Sequence, residues 1–261
     1  MADDDVVIAC ENVRCIISPY LGGRISSIVA FGRELLITKN GETNLQKWGC
    51  YPMAPWAGRV RNGVFIHDTK QHNLEINMPP HAIHGTVLDR PWETTATSPS
   101  SVKMQIDLGS QWGFSGEVTQ NISVVNDTIK FELNLSTNDA TMPGQVGWHP
   151  WFARPCTFTT NFEKMYVRDA SGIPSGEMIA PTSGPFDDCF TDSRQAPVIQ
   201  FENNLRVEIQ SDCTHWVVYD EPQHAICIEP QSGPPDGFNL EPHVITPKTP
   251  LSRYMRLIIS A

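Results

Sequence analysis

Hydrophobic and polar residues alternate with a period of two along much of the chain, the repeat that sends successive side chains to opposite faces of a strand. Val118, Gln120, Ile122 and Val124 fall on one face. After Asn126-Asp127, a turn signal, the pattern resumes with Ile129, Phe131, Leu133 and Leu135 set against Lys130, Glu132, Asn134 and Ser136. This predicts a hairpin with one buried and one wet face. Leu205, Val207 and Ile209 alternate with Arg206, Glu208 and Gln210 in the same way. Short apolar runs at 6–9, 216–219, 225–228 and 255–259 predict further strands, some of them buried on both faces. No apolar stripe at helical spacing extends beyond two turns, and Pro or Gly interrupts nearly every candidate. With 21 prolines and 18 glycines the punctuation suits many short strands better than long helices. The pattern predicts an all-β fold, an antiparallel sandwich or barrel.

A length of 261 residues matches one β domain spanning 1–261, large enough for a core without staples. No internal repeat or low-complexity linker divides it. Hydrophobic residues at 40% and charged residues at 18% exclude a disordered chain. The net charge of −10 argues against nucleic acid or an anionic membrane surface as partner. The seven cysteines are odd in number, scattered, and never paired at a two-residue spacing, which speaks against a disulfide framework and a thiolate zinc site. The N-terminus, Met1-Ala2-Asp3-Asp4-Asp5, is acidic where a secretory signal is basic and then apolar. No apolar run approaches the ~20 residues of a membrane helix. Sequons at Asn121, Asn126 and Asn134 fall in strand-like sequence, where they arise easily by chance. The expected compartment is the reducing cytoplasm.

Five segments carry candidate chemistry. In Gly147-Trp148-His149-Pro150-Trp151-Phe152, His149 is either a core histidine or a general acid whose ring is walled by Trp148, Trp151 and Phe152. In Pro79-Pro80-His81-Ala82-Ile83-His84-Gly85, the prolines and glycine oppose a helix, so a joint His81/His84 metal site is not expected. His84 is the stronger candidate there, because Gly85 lets a ligand approach the backbone. Glu229 ends an apolar strand beside Pro230-Gln231-Ser232-Gly233-Pro234-Pro235-Asp236; a carboxylate there is either paired or a general base with a raised pKa. Arg59 and Arg61 share a strand face ahead of Asn62-Gly63, as solvated charges or as forked donors to hydroxyl oxygens. Asp187-Asp188 reads as a loop pair, the weakest signal. The proline-rich patches at 78–80 and 233–235 read as site-shaping loops. No phosphate cradle, Ser-hydrolase elbow or Cys-His signature appears.

Taken in order, Ala57 to Phe65, Ile83-His84-Gly85 with Asp89-Arg90-Pro91-Trp92, Gly147 to Phe152, Asp187 to Phe190, and Glu229-Pro230-Gln231 with Gly233 to Asn239 resemble the aldose 1-epimerase (galactose mutarotase) family. The opening Pro19 to Ile25 is similar as well. The resemblance implies a large antiparallel β-sandwich, the galactose mutarotase-like supersandwich, binding a monosaccharide on its concave face as a monomer or homodimer. It implies Glu229 as the base that takes the O1 proton and His149 as the acid that protonates ring oxygen O5. His84 and Arg59 would hold the ring oxygen and hydroxyls, and Asp187 (or Asp188) a hydroxyl. Neither metal nor organic cofactor is implied. The chain is shorter than the best-known members, carries Trp148 where they have a polar residue, and has Pro230 after the glutamate; these differences bear on the preferred sugar.

Three other readings remain. A hexose 6-phosphate epimerase would need a basic anchor, for which Arg24, Arg61 and Arg90 are the candidates. A metal-dependent β-barrel enzyme would use His84, His149 and Glu229 as a facial triad. A sugar-binding module without catalysis would need neither Glu229 nor His149.

Overall fold

The computed structural model describes residues 4–261, so the first three residues of the acidic N-terminus lie outside the described residues. Among the described residues the helical pieces are the short turns Pro19–Leu21, Arg61–Gly63 and Gly237–Leu240. None of these is long and apolar enough to cross a membrane. Everything else regular is strand, as the period-two pattern predicts.

The expected hairpin forms between Gly116–Val125 and Thr128–Thr137, turning through Asn126 in the left-handed region at φ 52°. Its buried face is the predicted one. Gln120, the polar member of that face, donates to the Gly23 carbonyl at 2.8 Å and accepts from the Trp148 indole at 3.4 Å, so its amide is satisfied.

Seventeen strands pair into one continuous antiparallel sheet that doubles over into two layers. One layer runs from Glu93–Ser98 through Ser101–Asp107, Gly116–Val125, Thr128–Thr137, Leu251–Ser260 and Arg206–Ser211. The other runs through His215–Tyr219, Ala225–Gln231, Gly147–Ala153, Cys50–Met53, Arg24–Ala30 and Val13–Ser18 to Val6–Cys10. The long strand Asp187–Phe201 belongs to both. Its residues 187–191 pair with His215–Tyr219, and 198–200 with Arg206–Ser211. The result is a sandwich, and the core between the layers draws Ile8, Ile28, Phe131, Trp148, Ile228 and Leu257 into one cluster.

Of the four apolar runs, 216–219 and 225–228 are covered on both faces, whereas 255–259 alternates buried and half-buried positions and 6–9 is largely half-exposed. The reason is a second set of groups over the central strands. Cys50, Trp148, Phe152, Ile226 and Ile228 face the main core. Their odd-numbered neighbours Tyr51, Trp151 and Cys227 face the other way, into a small separate cluster. Register aligns this outer set, with His149 opposite Tyr51, Trp151 opposite Cys227, and Glu229 opposite Val217.

Candidate active site

The outer face of these strands floors a cavity of about 380 Å³, lined by all five residues singled out by sequence: Arg59, His84, His149, Asp187 and Glu229. Odd-numbered positions supply the floor because the strand period is two. Loops carrying Asn44, Lys47, Met78 and Pro235 supply the rim. A slightly larger groove of about 480 Å³ near Asp192 and Tyr254 is wide open and contains no buried acid–base pair.

At the centre of the floor, Nε2 of His149 lies 3.2 Å from Oε1 of Glu229, both side chains less than a tenth exposed. Gln231 donates to the other carboxylate oxygen at 3.1 Å. Burial raises the Glu229 carboxyl well above the usual carboxylate range, with the negative charge of Asp187 adding to it. Burial also pushes His149 down to about 3. The His149 ring is sandwiched between Tyr51 at 4.8 Å and Trp151 at 5.3 Å, both stacked. Trp148 and Phe152 do not wall it, contrary to expectation, because the strand's alternation sends them into the core.

His84 meets the His149 ring edge-on at 5.1 Å, and burial holds its pKa well below the ordinary histidine value. Its backbone is in the left-handed region at φ 63°, a strained setting that the surroundings must enforce. Gly85 is required for a different reason from the one expected. A Cβ there would lie 1.8 Å from the Ala54 carbonyl oxygen, so it is neighbouring backbone, not a ligand, that demands glycine. Arg59 donates to Asp187 at 3.1 Å and to the Gly172 carbonyl at 3.3 Å, which fixes its fork at the cavity wall. The Nδ1 atoms of His84 and His149, Nε1 of Trp151 and Oε1 of Gln231 are buried with no protein hydrogen-bond partner.

The sequence profile of the aldose 1-epimerase family matches residues 5–252. The chain belongs to the aldose 1-epimerase family. Two uncharacterized proteins of Escherichia coli (strain K12) are similar in sequence. YphB is 27% identical over 106 residues, covering 40% of this chain and 36% of YphB. YihR is 22% identical over 219 residues, covering 72% of this chain and 70% of YihR. A galactose mutarotase-like protein from Clostridium acetobutylicum superposes with a TM-score of 0.86 at 17% identity, covering 98% of this chain and 95% of the other, a likeness of fold.

Several residues of the motifs marked in the sequence do not reach the cavity. Arg61 and Arg59 do not share a strand face, because the strand ends at Val60 and Arg61 enters a 3-10 turn. Arg61 instead pairs with Asp169 at 2.9 Å and Asp236 at 3.7 Å. Asp236 accepts from the Arg61 backbone and from Asn239, pinning the 233–239 loop against the rest of the fold. His81 accepts from the Asn62 backbone through Nδ1, apart from His84. Trp148 and Pro230 both occupy even-numbered core positions and are absent from the cavity lining, so neither touches a sugar there. Asp187 and Asp188 lie at the start of a strand and not in a loop. Asp187 lines the cavity, while Asp188 is held by Arg168 at 2.9 Å.

The three arginines considered as phosphate anchors are all engaged. Arg24 is fully buried and donates to the carbonyls of Leu21, Leu45, Trp48 and Leu88. Arg90 pairs with Asp107 at 2.9 Å, and Arg61 is held as described. The seven cysteines are free thiols. Among the described residues the donor atoms that come within 4.8 Å of one another are those of His149, Cys227 and Glu229, and His84 is outside that trio. Sequence reading passed over Tyr51, Gln231, Tyr219 and the rim residues Asn44 and Lys47. Only Gln231 lay inside a recognisable motif; the others sit in ordinary apolar or polar stretches.

Proposed function

We propose that this protein interconverts the α and β anomers of a free aldohexose by acid–base ring opening and reclosure. The observation that carries the reading is the buried His149–Glu229 pair, 3.2 Å apart on the floor of a cavity ringed by Arg59, His84 and Asp187. Burial favours the neutral forms, so the pair holds one proton between a carboxylic acid and an imidazole. Carboxylate with imidazolium is a tautomer of equal proton count. A sugar whose O1 hydroxyl donates to Glu229, and whose ring oxygen accepts from His149, favours that second form.

From there each atom is accounted for. Glu229 takes the O1 proton as the C1–O1 bond becomes a carbonyl. The C1–O5 bond breaks with its electrons going to O5, which takes the proton of His149. The dyad is now carboxylic acid and imidazole, the state that burial prefers. Rotation about C1–C2 presents the other carbonyl face, and O5 attacks as the protons return. Concerted acid and base work of this kind contributes roughly 10²–10⁴-fold per partner. Arg59, His84 and Asp187 serve as donors and acceptors for the ring oxygen and hydroxyls, and no cofactor takes part.

A phosphorylated sugar is less favoured, because Arg24, Arg61 and Arg90 are committed elsewhere. A pure binding module leaves the buried acid–base pair without a purpose. Polarimetry of freshly dissolved α-glucose, α-galactose and their 6-phosphates, with and without protein, tests the reading. Faster decay of rotation with a free hexose supports it. Acceleration confined to the 6-phosphates, or absent throughout, refutes it.

A further inference from the structure

We propose that His149, Cys227 and Glu229 form a site for a borderline-soft divalent cation of the zinc type, and that its occupation blocks the reaction. The donors lie on adjacent strands. Cys227 and Glu229 are two apart on Ala225–Gln231 and so share a face, and His149 projects beside them from Gly147–Ala153. A ring nitrogen of His149, the Cys227 sulfur and a Glu229 carboxylate oxygen lie within 4.8 Å of one another. Zinc bonds of about 2.0–2.3 Å in tetrahedral geometry set donor atoms roughly 3.3–3.7 Å apart. The His149–Glu229 separation of 3.2 Å is already close to that range. The sulfur has to close from within 4.8 Å to that range, while the pairing of the two strands holds all three Cα positions.

The donor set of one nitrogen, one sulfur and one oxygen suits zinc and disfavours magnesium or calcium, which prefer oxygen alone. Three protein ligands leave a fourth position for water. His149 is neutral and offers a lone pair; the Cys227 thiol and the Glu229 carboxyl release their protons to solvent as the metal bonds form. Cys227 has no part in the acid–base scheme. An ion held by it would occupy the base and the acid together and exclude the sugar. Inhibition thus rests on the proposed reaction, whereas metal binding does not.

The test separates the two. Chelator-treated protein is titrated with cobalt(II) and followed by near-ultraviolet thiolate-to-cobalt absorption, then with zinc; mutarotation is assayed in parallel. One cobalt per chain should bind with a thiolate band, zinc should displace it, and sugar should protect against zinc inhibition. Cys227→Ala should keep the basal rate, lose the band and resist zinc by at least ~100-fold, since even partners hydrogen-bonded to metal ligands are worth about 10–100-fold. Cys50→Ala, a buried thiol on the core face, should behave as wild type. If Cys227→Ala does not fold, as read by its thermal midpoint, His149→Asn should show the same loss of cobalt affinity. Unchanged cobalt and zinc affinity in these variants, or saturation of wild type without a thiolate band, overturns the site. A thiolate band without inhibition keeps the metal site and overturns the acid–base reading.

Discussion

Glu229 and His149 are each almost wholly buried and in direct contact, so their protons have to be counted together. In the unfolded chain the carboxyl titrates near 4.5 and the imidazole near 6.5. In the folded protein the first is raised well above that value and the second falls to about 3. Between about pH 4.5 and 6.5 both states hold one proton on this pair, so it adds no slope to stability. Above about pH 6.5 the unfolded pair loses its proton, while the folded pair, its carboxyl raised by burial, holds its proton to higher pH. Stability then falls as pH rises, by up to about 1.4 kcal/mol per pH unit. Below about pH 4.5 the unfolded pair gains a second proton, and stability falls with pH until His149 itself titrates. Glu229→Gln removes the alkaline arm. Urea midpoints at about pH 7 and 8.5 check this, and parallel losses in wild type and variant would place the proton elsewhere. The same variant should lose at least ~10²-fold in turnover while sugar binding survives, because an amide accepts no proton. His149→Asn should lower turnover strongly with a modest change in KM. His84→Asn, which keeps a polar group against the ligand, should mainly raise KM. Steady-state rates on both anomers of one sugar decide the assignment, and a collapse of turnover in His84→Asn alone would reverse the two roles.

At the scale of elements, the cavity floor follows from parity. Four neighbouring strands each place their odd-numbered residues outward, and register brings those residues level. The catalytic candidates were legible because their motifs are local: a histidine amid aromatics, a glutamate at a strand end. Their neighbours were not, since Tyr51 reaches His149 only through the pairing of two strands about a hundred residues apart in sequence. In the segment bearing His84, Gly85 at φ +83° packs directly against the Ala54 carbonyl. Gly85→Ala should destabilise the protein by about 3 kcal/mol or more, combining positive-φ strain with overpacking. It should also raise KM by displacing His84. Urea unfolding and steady-state kinetics measure both, and a variant with wild-type stability would mean that the Ala54 carbonyl yields freely.

For the whole molecule, a charge of −10 sets the long-range field. A neutral hexose feels little of it, so kcat/KM should change by less than about twofold between roughly 0.02 and 0.5 M salt. A 6-phosphate would be repelled at low salt, and its rate would rise as screening increases. A steep increase with salt on the preferred substrate would therefore indicate an anionic sugar.

The sequence by itself determined the antiparallel β fold, because a buried face needs a period of two and that period is written in residues such as Ile129, Phe131, Leu133 and Leu135. It also marked Arg59, His84, His149, Asp187 and Glu229, whose local surroundings carry family-like motifs. Only the tertiary structure decided which side of the sheet each residue occupies relative to a second layer. That choice put Trp148 in the core and Trp151 on the ring of His149. It turned Arg61 away from the cavity to Asp169 and Asp236, tied up Arg24 among backbone carbonyls, and brought Cys227 beside the acid–base pair. A strand's alternation is local, but the identity of its two sides is set by what packs on them, and those partners lie far away along the chain.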